Sequence, residues 1–170
     1  MIDNSVKFNN ALLFARQKHK GQFRRGGKEY ITHPVAVSEI LRQKGFEEDY
    51  LIAGLFHDLL EDTDATEEEI LKLGGLSVLN SVKLVTKKDG FSHKEYVAGI
   101  KKDPIAFAVK GADRLHNLLS AVEADEDFRR RYIKDTVEWY YDFGDDIMHA
   151  VKNLAETLSS PMTEYPFLYE

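Results

Sequence analysis

His57 and Asp58 stand side by side in Gly-Leu-Phe-His-Asp-Leu-Leu-Glu-Asp-Thr, with His33 upstream and Asp113 downstream. Adjacent His and Asp side chains can reach one divalent ion, and two further N and O donors from distant segments complete a shell that keeps open positions. If the four converge, the expected chemistry is metal-dependent hydrolysis of a phosphate ester or anhydride. Such an ion polarises a phosphoryl oxygen and lowers the pKa of a bound water toward about 7. An N2O2 set of His33, His57, Asp58 and Asp113 suits Mn²⁺, Fe²⁺ or Zn²⁺ better than Mg²⁺, which prefers oxygen and retains water. Glu61 and Asp62, one turn beyond the dipeptide, would orient water or relay its proton. A His-Asp dipeptide alone is equally the mark of a buried hydrogen-bonded pair, so the other residues carry the argument.

Positive charge gathers in Lys18-His19-Lys20-Gly-Gln-Phe-Arg24-Arg25-Gly-Gly-Lys28, just before His33. By default such a run is a solvated loop. In a chain of net charge −6 it is also where phosphates would be received. The acidic balance argues against a general nucleic-acid binder, which presents a basic face to the backbone. His19, His93 and His149 are expected on the surface, and His116 is expected to pack or hydrogen-bond.

The elements that must position these groups are helical. Residues 6–20 carry Phe8, Leu12, Phe14 and Ala15 at a spacing nearer 3.6 than 2, and Gly21 ends the run. Residues 24–31 contain Gly26-Gly27 and predict a loop, after which Pro34 sits in the first turn of a helix to about Lys44. The segment 51–60 is apolar nearly all round, which predicts a buried, central helix over 48–60 with His57 and Asp58 near its C-terminal end. On that helix His57 and Glu61 are four apart and Asp58 and Glu61 three apart, so they share a side. Asp113 and Asn117 share a face of a later helix in the same way.

Thr66-x-x-Glu69 and Ser92-x-x-Glu95 are capping signatures, and Asp103-Pro104 supplies an N-cap with Pro in the first helical position. Helices are further predicted over 77–87, 105–119, 127–142 and 146–158. No stretch alternates long enough to demand a sheet. The expectation is an all-α, single-domain helical bundle covering 1–170, with an aromatic tail, 161–170, that packs back on the core or meets a partner.

With 170 residues and 43% hydrophobic side chains the chain can bury a sizeable core. Cysteine is absent, which excludes disulfides, thiolate nucleophiles and Cys-based zinc sites. No cationic start followed by an apolar run opens the chain, and no apolar stretch approaches the length needed to cross about 30 Å of hydrocarbon. A soluble, cytoplasmic protein without a membrane partner is expected.

Three ordered stretches carry a resemblance: Lys-Gly-Gln-Phe-Arg-Arg-Gly-Gly-Lys-Glu-Tyr-Ile-Thr-His-Pro, Phe-His-Asp-Leu-Leu-Glu-Asp-Thr and Val-Lys-Gly-Ala-Asp-Arg-Leu-His-Asn. They resemble the HD-superfamily hydrolase domain of the RelA/SpoT homologue proteins over roughly 10–158. The resemblance implies an HD-type fold and hydrolysis of the guanosine alarmones ppGpp and pppGpp to GDP or GTP plus pyrophosphate, with Mn²⁺ as cofactor. It implies His33, His57, Asp58 and Asp113 as metal ligands, Glu61 and Asp62 as the catalytic acidic pair, and Arg24 and Asn117 as substrate contacts with Arg25 and Lys28 beside them. No segment matches the family's synthetase or regulatory regions, so a stand-alone small alarmone hydrolase is the expectation. Two rivals remain: an HD-type phosphatase for another nucleotide phosphate, and a sensor that binds alarmone without turnover. The sequence leaves the oligomeric state open.

Overall fold

The structure, a computed structural model, describes residues 4–170. It is all-α: no strand occurs among the described residues, and a lone antiparallel bridge joins Phe23 to Glu29. The chain divides into two compact units, Met1–Ala112 and Asp113–Glu170.

The first unit is built from α1 (Val6–Lys18), α2 (Thr32–Gln43), α3 (Glu48–Phe56), α4 (Leu59–Asp62), α5 (Glu67–Gly74), α6 (Leu76–Val85), α7 (His93–Lys101) and the start of α8 (Pro104–Ser120). Helix starts follow local chemistry. Ser5 accepts from the Phe8 amide at α1, and Asp103 accepts from the Ala106 amide at α8. At α5, Thr66 and Glu69 cap each other reciprocally, at 3.2 and 2.9 Å. Gly75, at φ 89°, turns the chain from α5 into α6 in a single residue, a backbone conformation costly for any side chain.

Helix α3 is the centre of this unit. It packs on α1, α2, α5 and α6, and every residue from Leu51 to Phe56 is buried. Each large apolar side chain placed there contributes about 1.5–3 kcal/mol relative to exposure. Phe56 meets Phe14 of α1 edge to face at 5.7 Å. Gly54 lets α2 and α3 approach closely: a Cβ there would stand 3.0 Å from Leu41 Cδ1 and 3.4 Å from the Ser38 backbone.

The continuous helix expected over 48–60 is interrupted. Helix α3 stops at Phe56, α4 begins at Leu59, and His57 and Asp58 form the turn between them. The physical reason lies in the His57 ring. Its Nδ1–H donates to the Gly54 carbonyl at 2.7 Å, engaging the acceptor that a continuing helix offers to the next turn's amide. Asp58, at φ −101° and ψ −1°, then starts the next short helix.

In the second unit, α9 (Glu126–Trp139) and α10 (Asp145–Glu156) pack together around Ile133, Ile147, Val151 and Leu154. Asp125 caps α9 through the Phe128 amide at 2.8 Å. Arg114 is buried here, 2.8 Å from Asp135 and with its guanidinium 4.0 Å from the Tyr140 ring centre. The aromatic tail folds back on α10 through a 3₁₀ turn, Pro166–Tyr169, and buries Leu168. Tyr165 donates to Glu138, and Phe167 meets Tyr141 edge to face. The tail thus packs on α10 of the second unit.

Candidate metal centre

His33 lies in the first turn of α2, with its ring almost wholly buried. His57 is brought opposite by the α2–α3 packing. Because its Nδ1–H is committed to the Gly54 carbonyl, Nε2 is the ring nitrogen left to face a cation. The two Nε2 atoms are 3.2 Å apart, and Asp58 Oδ2 is 3.0 Å from that of His57 and 3.8 Å from that of His33. Donors held about 2.1 Å from a single ion stand about 3 to 3.5 Å from one another. The His57 pairs, at 3.2 and 3.0 Å, fall within that range and the His33–Asp58 pair, at 3.8 Å, lies just beyond it, so two imidazole nitrogens and one carboxylate oxygen could hold one divalent transition ion.

A second group, Asp58, Glu61 and Asp62, also brings its oxygens within 4.8 Å of one another. Asp62 is an exposed residue, yet partial burial of its carboxyl, the largest cause, followed by the charges of Asp58 and Glu61, raises its pKa to about 6. Glu61 is exposed but held, since its Oε1 accepts from the Lys87 amide at 2.6 Å.

The basic loop is a tight hairpin. The Arg24 amide donates to the Lys28 carbonyl at 2.8 Å and the Gly27 amide to the Arg24 carbonyl at 3.0 Å, with Gly26 and Gly27 at φ 90° and 91°. Arg24 is half-buried and its guanidinium lies 5.9 Å from the Tyr30 ring centre, whereas Arg25 and Lys28 are exposed. Gln22 fastens the loop to α4 by donating to the Asp62 carbonyl at 2.7 Å.

Asp113 belongs to the second unit, where it is buried and accepts from Asn117, one turn along α8, at 2.9 Å. The structure thus gathers His33, His57 and Asp58 in the first unit, sets Glu61 and Asp62 beside Asp58, and pairs Asp113 with Asn117 in the second.

One expectation is corrected. His19 is not a surface residue: it is 2% exposed, its Nδ1 donates to Gln22 at 2.8 Å and its ring lies 4.9 Å from that of Tyr30. Burial lowers its pKa. The signal was in the sequence, because His19 follows Ala15 and Ala11 at four-residue spacing along the buried stripe of α1, and the flanking lysines masked it. Sequence reasoning also passed over Gln22, the Lys87 amide, and Tyr30, whose hydroxyl donates to Asp58 Oδ2 at 2.6 Å.

The HD domain family model matches residues 11–146. The chain belongs to the HD domain family. This HD domain is 34% identical over 170 aligned residues to a guanosine-3′,5′-bis(diphosphate) 3′-pyrophosphohydrolase of Haemophilus influenzae, covering 93% of the chain and 25% of that protein. It is 33% identical over 168 residues to the bifunctional (p)ppGpp synthase/hydrolase SpoT of Escherichia coli K12, covering 92% and 24%. The chain spans about a quarter of the length of these curated relatives. A solved structure of a metazoan ortholog of SpoT, which hydrolyzes ppGpp and plays a role in starvation responses, matches with a TM-score of 0.75 and 26% identity over 92% of this chain and 97% of that one. The RelA/SpoT resemblance read from the three sequence motifs is borne out by these matches.

Proposed function

We propose that this HD domain is a metal-dependent hydrolase that removes the 3′-pyrophosphate of ppGpp or pppGpp, leaving GDP or GTP. The observation that carries the reading is the convergence of His33 Nε2, His57 Nε2 and Asp58 Oδ2. Asp113 is the fourth ligand in this proposal on the strength of its Ala-Asp-Arg-Leu-His-Asn motif. The cation is Mn²⁺, with Zn²⁺ or Fe²⁺ as the alternatives the same donors accept. When bound, it supplies Lewis-acid polarisation and a water acidified to about pKa 7.

The chain's own residues do the rest. Asp62, with a pKa of about 6 in the cation-free protein, is suited to hold or release a proton near neutral pH. Glu61, fixed through Oε1 by the Lys87 amide, orients the reacting groups from a defined position. Arg24 binds substrate phosphate with Arg25 and Lys28 as neighbours, and Asn117 contributes an amide contact. The HD match, running from 11 to 146, supports one HD-type domain with the tail 161–170 as an appendix. No helix among the described residues is long and apolar enough to cross a membrane, and a cytoplasmic setting suits a small guanosine nucleotide as the partner.

Metal-reconstituted protein incubated with ppGpp beside a panel of nucleotide phosphates tests the reading through product identity. Pyrophosphate and GDP are expected. Orthophosphate would indicate a phosphatase, and bound but unaltered ppGpp a sensor.

A further inference from the structure

Tyr30 lies three residues before His33, and the ligand assignment made from the motifs does not use it. Its hydroxyl donates to Asp58 at 2.6 Å, a short charge-assisted bond from a phenol to a carboxylate. The oxygen it selects is Oδ2, the one that faces both imidazoles, at 3.0 Å from His57 and 3.8 Å from His33. A tie serving only to hold the loop down would be satisfied equally by Oδ1.

The phenol is itself held from several directions. Its amide donates to the Gln22 carbonyl at 2.8 Å and its carbonyl accepts from the His33 amide at 2.9 Å. Its ring stands 4.9 Å from that of His19 and 5.9 Å from that of His33. An aspartate's terminal torsion is broad, so a carboxylate without such a restraint also samples orientations in which neither oxygen faces both imidazoles. Asp58 also sits in the turn between α3 and α4, where no regular helix fixes its backbone on both sides.

We infer that Tyr30 is the positioning residue of the cation site: its hydroxyl holds Asp58 Oδ2 against the two imidazoles and so sets the affinity of the centre. The inference rests on the metal-centre reading proposed above. Partners of this kind, one bond removed from the ion, typically change metal affinity by about 10- to 100-fold when lost.

The test is a competition titration of Mn²⁺ against a chelator for the wild-type protein, for Tyr30→Phe, and for protein carrying p-aminophenylalanine at position 30. Tyr30→Phe keeps the ring and removes the donor, while the amino analogue keeps the ring and restores an N–H. A Kd about tenfold or more weaker in Tyr30→Phe, recovered in the amino analogue, with kcat restored at saturating Mn²⁺, is expected. Equal Kd values in all three proteins overturn the role of Tyr30 and leave the metal centre standing. Equal weakening in both variants assigns the effect to packing and likewise overturns the inference. A wild-type protein that takes up no cation overturns the metal centre itself, and the role of Tyr30 with it.

Discussion

The Glu61 carboxylate accepts a hydrogen bond from the Lys87 main-chain amide at 2.6 Å, joining α4 to the segment just beyond α6 across 26 positions of sequence. A main-chain donor cannot swing away as a side chain can, so it gives an otherwise exposed carboxylate a fixed orientation beside Asp58. Glu61→Ala is therefore expected to retain stoichiometric metal and to lower kcat by roughly 100-fold, the usual loss when reacting groups are misplaced by about 1 Å. Metal content and single-substrate kinetics measured on one preparation check this. An unchanged kcat would remove Glu61 from the chemistry.

Arg24 should act on substrate and leave the ion alone. Its guanidinium stands over the ring of Tyr30, whose hydroxyl donates to Asp58, and the expected loss in Arg24→Ala is about tenfold to a hundredfold in kcat/KM, the worth of hydrogen bonds to a charged group. Mn²⁺ affinity should match the wild type. Undiminished kcat/KM would make the hairpin a solvated surface loop.

Asp62 gives a pH signature in the cation-free protein. Its folded-state pKa of about 6 lies above the ordinary 3.8, so the folded state holds the proton more tightly than the unfolded one. The ionised carboxylate consequently disfavours folding above about pH 6, and this penalty fades as pH falls toward 4. Asp62→Asn should raise the melting temperature at pH 7 to 8 and leave it unchanged near pH 4, as thermal melts across that range would record. A difference independent of pH would contradict the assignment.

Gly54 links packing to the centre, because its missing Cβ lets α3 lie against α2 while its carbonyl fixes the His57 ring. Gly54→Val would force the Ser38 backbone and Leu41 apart. A loss of about 1–3 kcal/mol in denaturant unfolding is expected, together with weaker Mn²⁺ binding. Unaltered stability would show that α2 can move aside at little cost.

Much of this was legible in the chain because the signals were local. Caps at Thr66, Ser92 and Asp103 are two- to four-residue patterns, and the apolar run before His57 could only be a buried helix. The break after Phe56 was not legible, since it depends on an imidazole competing for a backbone carbonyl, and periodicity does not report such a bond. The place of His19 was missed for the opposite reason: its neighbours Lys18 and Lys20 spoke for solvent while its own helical phase pointed inward. Tyr30 and the Lys87 amide reach Asp58 and Glu61 across 28 and 26 positions, and no local pattern announces a contact at that range. The His-Asp pair stood out because few other roles bring two such donors together beside an acidic pair.

The central claim is that His33, His57 and Asp58 hold a single cation. Equilibrium dialysis of wild-type protein and His57→Ala against Mn²⁺, with metal content read by atomic emission, tests it most directly. The account predicts one equivalent bound by the wild type and none by a folded His57→Ala; an equivalent retained by the variant would contradict it.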